Sequence, residues 1–364
     1  MSLLYDESQL AMANETRRVL EARVSYAELL PLLEREGEFH APFWDTAKQQ
    51  GWTGLAMPEA WGGLGLSLVE LGLIAFQAGR SLSGAPFLTT THGAAVALLD
   101  HGSAALKQEW LPRFASGEAI GAVAFGEAQD VVPAQSAVTL AGGVLNGTKP
   151  AVTAGLEADL AIVLASEGDT PVLVAAPLAG VERRALATFD NSRCTADLTF
   201  RHTPGEVLAR GDQALDVALN ILAQQAVVTA HEQTGGAEAL MEQARDYANT
   251  RRAFGQPIGA FQSVKHRIAE LYGLVELARA NAIHAATLAG LPDFVKAAAA
   301  ARIQATEAYD TASRDCVQIH GGIGVTWEGG LHLHMRRART LAVEQGNMLF
   351  WEDVLVDQLT GARA

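Results

Sequence analysis

Every strand-prone run in this 364-residue chain falls in one stretch, from about Gly117 to Ala209, with helical periodicity on both sides of it. Val138–Leu140, Leu160–Ala165, Pro171–Ala176 and Ala196–Arg201 are short β-prone runs separated by Gly, Asn, Asp and Pro. Before them, apolar residues between Glu7 and about Phe114 recur at three- and four-residue steps, as in Leu66–Phe76. After them, from about Gln213, the same period returns with Ala-rich segments such as Val295–Arg302 and few breakers before Gly321. A doubly wound nucleotide-binding sheet alternates strands with helices, whereas strands confined to the middle predict an α+β chain. The expected blocks are a helical domain over 1–118, a small β domain over 119–210 and a helical bundle over 211–364. Met57–Ser67 should end one helix with its Pro and glycines and cap the next with Ser67. Pro257 and Pro292 mark further breaks. Asn146-Gly147, between two strand-like runs, predicts a tight hairpin turn.

Composition narrows the partners. Lys plus Arg is 27 against 41 Asp plus Glu, a net charge of −14, which repels phosphate backbones and anionic lipid. Two cysteines, Cys194 and Cys316, cannot build a disulfide framework, and the opening MSLLYDESQ has neither the basic flank nor the apolar run of a signal peptide. No stretch approaches the roughly 20 apolar residues that span a bilayer. The expectation is a cytoplasmic protein with no nucleic-acid or membrane partner.

Familiar catalytic signatures are missing. No Gly-x-Gly-x-x-Gly follows a strand, no His-Glu-x-x-His exists, and no Gly-x-Ser-x-Gly elbow is present. His332 and His334 are two apart, which puts them on different faces of a helix, so no metal site is expected. Gly142–Lys149 lacks the Gly-Lys-Ser/Thr order of a phosphate loop. Three segments in the last third remain. Arg251–Gln262 gathers guanidinium, glycines and amide at a helix break, as phosphate and adenine recognition would want. Gln318–Gly324 has glycines that let backbone N–H groups approach an anion. Thr340–Asn347 carries an acid, an amide and a glycine.

Together and in this order, these segments resemble the acyl-CoA dehydrogenase family of flavoproteins. Gly51–Gly65 looks like that family's N-terminal helical-domain loop, and Leu145–Lys149 like its β-domain hairpin. The resemblance implies an N-terminal helical domain, a middle β-barrel and a C-terminal four-helix bundle. It implies FAD held between the β domain and the bundle of one subunit, with a neighbouring subunit grasping the nucleotide end. The implied reaction is α,β-dehydrogenation of an acyl-CoA thioester, with electrons passing to an electron-transferring flavoprotein. By match to the family pattern, Arg251 would bind the FAD pyrophosphate, and Phe254 and Gln262 would contact the nucleotide nearby. Gln318, Gly321 and Gly322 would form a cradle across the dimer interface, and Thr153 would hydrogen-bond the flavin. Glu127 sits where the family has the Glu of Thr-Glu-Pro, but Gly126 replaces the Thr and Ala151 replaces an expected tryptophan.

The departure that matters most concerns the base. Counting from Gln318, the family's catalytic glutamate falls at position 345, which is Gln; the alternative base position used by some relatives falls at 225, also Gln. An amide accepts no proton near neutral pH. Glu344, beside the first position, and Glu232, two helical turns beyond the second, are the candidate replacements. His320–His334 with Met335–Arg339 resembles a branch of heteromeric bacterial enzymes for steroid side chains, in which one subunit supplies the glutamate and its partner lacks it. The reading is therefore an FAD-dependent acyl-CoA dehydrogenase or a subunit of one, as a homo-dimer or tetramer or a heterotetramer with a glutamate-bearing paralogue. The alternatives are a non-catalytic FAD-interface subunit and a flavoprotein of elimination-type chemistry.

Overall fold

The computed structural model describes residues 5–84, 86–128 and 130–361. The outermost residues of the two end blocks, 1–4 and 362–364, lie outside the described residues. Six helices come first: α1 (Glu7–Arg23), α2 (Tyr26–Leu29), α3 (Ala41–Gln49), α4 (Leu68–Ser81), α5 (Phe87–His101) and α6 (Ala104–Ser116). Strands β1 (Gly121–Ala124), β2 (Thr139–Ala141), β3 (Val144–Val152), β4 (Leu160–Glu167), β5 (Thr170–Pro177), β6 (Glu182–Ala185), β7 (Ala196–Pro204) and β8 (Glu206–Arg210) follow. The chain then returns to helices: α7 (Asp212–Thr250), α8 (Gln262–Thr287), α9 (Phe294–His320), α10 (Leu331–Leu341) and α11 (Met348–Thr360). A two-residue ribbon, β9 (Arg252–Ala253) with β10 (Gln256–Pro257), sits between α7 and α8. Ser67 caps α4 as expected, its hydroxyl accepting from Val69 N at 3.1 Å. Among the described residues no helix is long and apolar enough to cross a membrane.

By contact the chain forms two compact units. One comprises Leu32–Leu71 and Ala85–Gln225; the other comprises Met1–Pro31, Gly72–Gly84 and Ala226–Ala364. The first holds an eight-stranded mixed sheet in the order β6-β7-β3-β2-β4-β5-β8, with β1 parallel to β4. Leu160–Ser166 of β4 are buried throughout, as a central strand covered on both faces requires. Helix α5 packs on β1, and the Thr91 hydroxyl accepts from Gly121 N at 3.0 Å.

One expected turn falls elsewhere. The β2–β3 hairpin closes at Gly142-Gly143, not at Asn146-Gly147, with Ala141 paired to Val144. A two-residue hairpin loop favours positive φ at both positions, and the two glycines supply +58° and +80° at no steric cost. Asn146-Gly147 instead lies inside β3 at a register shift against β7, where Asn146 Oδ1 accepts from His202 N at 2.9 Å.

The second unit is helical. Buried Ala297, Ala298, Ala301, Ala305, Ala308 and Ala312 give α9 a small-residue core face, and α8, α10 and α11 pack on that helix. Helix α4 crosses α7 so closely that a Cβ on Gly79 would overlap the Glu232 carbonyl, and one on Gly235 would overlap that of Phe76. The crossing fixes the stretch of α7 that carries Thr229, Glu232 and Gln233.

Candidate active site

Gln345 lies in the turn between α10 and α11 and adopts a left-handed backbone with φ +55°. Such a conformation is strained for a residue with a Cβ, and it persists only where the surroundings over-determine it. Here they do. Arg302 of α9 is 1% exposed and donates to the carbonyls of Leu341 and Glu344, the latter at 2.9 Å, and to Gln233 Oε1 and Thr306 Oγ1. Burial lowers its guanidinium to about 10, which leaves it charged at neutral pH. The indole N–H of fully buried Trp351 donates to the Gln345 carbonyl at 3.1 Å, and Asn347 caps α11 by accepting from Phe350 N. The side chain is held as well, since Thr229 Oγ1 donates to Gln345 Oε1 at 3.0 Å.

Both candidate replacement carboxylates lie within the field of buried arginines. Glu232 accepts from Arg337 at 2.8 Å, with side-chain exposures of 6% and 4%, and Arg337 also donates to the Leu82 carbonyl. Glu344 is buried, and Arg302 feels the charge of both glutamates. In the sheet-bearing unit, Gln225 is buried, donates to the Thr89 carbonyl at 3.3 Å and packs against Gly93. Its neighbour Gln224 pairs with His92 Nε2 at 3.2 Å, and burial holds that imidazole below its ordinary pKa. His92 and Gln224 are 132 residues apart, and no motif or spacing in the sequence links them.

The residues matched to cofactor binding stand differently. Arg251, Phe254 and Gln262 are exposed at the α7–α8 corner, Phe254 at 97%, and among the described residues the side chains of Arg251 and Gln262 make no hydrogen bond or ion pair. Phe254 has φ +51° and meets Phe261 edge-on at 6.3 Å. Gln318, Gly321 and Gly322 are exposed at the end of α9; Gly321 has φ +61°, and a Cβ on either glycine would meet nothing within 4 Å. Tyr247 of α7 stacks on His320 of α9 at 4.2 Å, and this joins the two segments at one end of the helical unit.

In the sheet-bearing unit, half-buried Thr153 sits between Ala151 and Ala154, both at positive φ, where the β3–β7 register is broken. Nearby Lys149 is fully buried and pairs with Glu127 and Ser136 while donating to the Phe125 carbonyl at 2.8 Å. Burial pulls Lys149 down to about 8. Burial of Glu127 acts to raise its pKa, but the bonds from Ala137 N–H, Lys149 and Ser136 prevail and hold it below the usual carboxylate value.

Two family models cover most of the chain: the acyl-CoA dehydrogenase N-terminal domain over residues 6–118 and the C-terminal domain over residues 213–348. Acyl-CoA dehydrogenase IpdE2 of Mycobacterium tuberculosis is 33% identical over 301 residues, which is 80% of this chain and 78% of that protein. The chain belongs to the acyl-CoA dehydrogenase family. Among solved structures, the ChsE4-ChsE5 complex from Mycobacterium tuberculosis aligns over all of both chains at 25% identity and TM-score 0.89. A steroid ACAD variant aligns over 98% of both chains at 26% identity and TM-score 0.85. The expected order of helical domain, β domain and helical bundle is that of the family. Family members are oxidoreductases that use FAD. The residues present fit that group: an exposed aromatic ring, with an arginine and amides that make no side-chain hydrogen bond among the described residues, suits an anionic, aromatic dinucleotide.

Proposed function

We infer that this chain is a cytoplasmic subunit of an FAD-dependent acyl-CoA dehydrogenase that oxidises a CoA thioester between its α and β carbons, and that a paralogous partner chain supplies the glutamate. The observation that carries this reading is the state of the two base positions. Gln345 and Gln225 are amides, hydrogen-bonded to Thr229 and to the Thr89 carbonyl, while Glu232 is paired with Arg337 and buried Glu344 lies within the field of Arg302. Loss of a general base lowers a rate by about 10²–10⁴.

Arg251 would neutralise the FAD pyrophosphate, Phe254 would stack on the nucleotide, and Gln262, Gln318 and the Gly321-Gly322 backbone would donate to its polar atoms. Thr153 offers a hydroxyl to the flavin edge. Bound FAD would supply the acceptor for the hydride leaving the β carbon, and an electron-transferring flavoprotein would take the electrons on. The pairing of two different chains in the ChsE4-ChsE5 complex supports a heteromeric assembly, and the steroid ACAD relative makes a steroid-derived acyl group the substrate class to test first.

The test is reconstitution. Each chain is purified alone and then mixed with a glutamate-bearing paralogue, and thioester-dependent reduction of an electron acceptor is followed. The mixture should turn over while this chain alone stays near background. Full turnover by this chain alone contradicts the reading.

A further inference from the structure

The hydrogen bond between Thr229 and Gln345 settles which end of the Gln345 amide faces outward. Thr229 is fully buried, so its hydroxyl proton needs an acceptor. A helical threonine usually gives that proton to the carbonyl four residues back, as Thr234 does to Ala230 at 2.7 Å. Among the described residues Thr229 makes no such bond, and its one acceptor is Gln345 Oε1 at 3.0 Å. The opposite amide orientation would set the Gln345 N–H against the hydroxyl and leave the threonine proton without a partner. The carbonyl end of the amide therefore faces Thr229.

The other end is Nε2, a donor only. Gln345 is half-buried, and no described residue accepts from Nε2. The turn beneath it does not yield, because Arg302 holds the carbonyls of Leu341 and Glu344 and Trp351 holds that of Gln345. The result is a fixed N–H₂ group on a left-handed turn, at the position where the family has a proton acceptor.

We propose that Gln345 is a ligand-binding donor whose Nε2 hydrogen-bonds a carbonyl oxygen of the acyl group of a CoA thioester, and that Thr229 is the positioning residue that keeps Nε2 outward. This rests on the reading above that the chain binds CoA thioesters. Position 345 thereby changes from accepting a proton to donating a hydrogen bond, which an amide performs at any pH in the physiological range.

The test is binding, followed by isothermal titration calorimetry on the flavin-loaded protein with three probes: the thioether S-butyl-CoA, butyryl-CoA and acetoacetyl-CoA. The wild type should bind a carbonyl-bearing probe about tenfold more tightly than the probe lacking that carbonyl, the size of one neutral hydrogen bond. A step between thioether and butyryl-CoA identifies the thioester carbonyl as the acceptor. A step between butyryl-CoA and acetoacetyl-CoA identifies the 3-oxo group. Gln345→Ala and Thr229→Val should abolish the step, and Thr229→Ser should keep it. A generally looser or partly unfolded turn would weaken all three probes alike and leave the step in place. Persistence of every step in Gln345→Ala overturns the proposal while leaving CoA binding intact. Failure of all three probes to bind the wild type overturns the proposed function, and this proposal with it.

Discussion

The α7–α8 corner and the α10–α11 turn belong to the same helical unit and treat their polar side chains in opposite ways. At the corner, the exposed side chains of Arg251 and Gln262 make no hydrogen bond or ion pair among the described residues, and Phe254 stands almost wholly in solvent. At the turn, the carbonyls of Leu341, Glu344 and Gln345 are each taken by a buried donor, and the Gln345 amide oxygen is taken too. A region that leaves its donors unspent is built to be completed by a ligand. A region whose carbonyls are bound by buried donors holds its backbone in place. Strained backbone occurs in both, at Phe254 and Gln345, and it also flanks Thr153 in the other unit.

Four changes should break or sharpen this contrast. Gln345→Glu has the largest expected effect: it restores a carboxylate on the same fixed turn and should raise thioester-dependent flavin reduction by this chain alone by about 10²–10⁴. No rise in single-turnover rate would show that the amide is not what limits the chemistry. Arg302→Met comes next, because it leaves two carbonyls and the Gln233 amide oxygen buried without their donor. It should cost about 3–5 kcal/mol in denaturant unfolding and disturb the fluorescence of Trp351. A loss below about 1 kcal/mol would mean the turn is held by something else.

The third change is acid. Burial lowers His231 to about 4 and His334 to about 3, the latter between the hydroxyls of Tyr309 and Tyr26. Their folded pKa values lie below the ordinary value of 6.5, so between those limits the unfolded chain binds more protons and stability falls as pH drops. Unfolding free energy measured from pH 7 to pH 4 should decline through this window. A replacement of His231 that shortens the decline confirms its source, and a flat profile contradicts it. Arg251→Ala is the smallest in stability, within about 0.5 kcal/mol because the side chain is exposed and makes no hydrogen bond or ion pair among the described residues, yet FAD should dissociate from the variant more readily. Equal destabilisation by Arg251→Ala and Arg302→Met would end the comparison.

The sequence made local features legible and hid the long-range ones. Ser67 could be read as a cap and the β-prone runs as strands because each depends on its immediate neighbours. Counting along the family pattern points to Gln345 and Gln225 without any long-range information. Asn146-Gly147 and Gly142-Gly143 both favour turns, and only strand register places the hairpin at the second pair. Arg302 sits in an Ala-rich run that reads as bundle core, and its partners Leu341 and Glu344 lie about forty residues on. Thr229 and Gln345 are 116 residues apart. No periodicity or spacing rule brings such pairs together; packing of α9 and α7 against the turn does.

The central claim is that this chain binds its cofactor and thioester without a base of its own. The most direct measurement is an anaerobic titration of the purified, flavin-loaded protein alone with a panel of short, long and steroid-like acyl-CoA thioesters, followed by the visible flavin absorbance. The account predicts a flavin band that shifts on binding and does not bleach. Rapid bleaching by any of these thioesters in the wild type would contradict it.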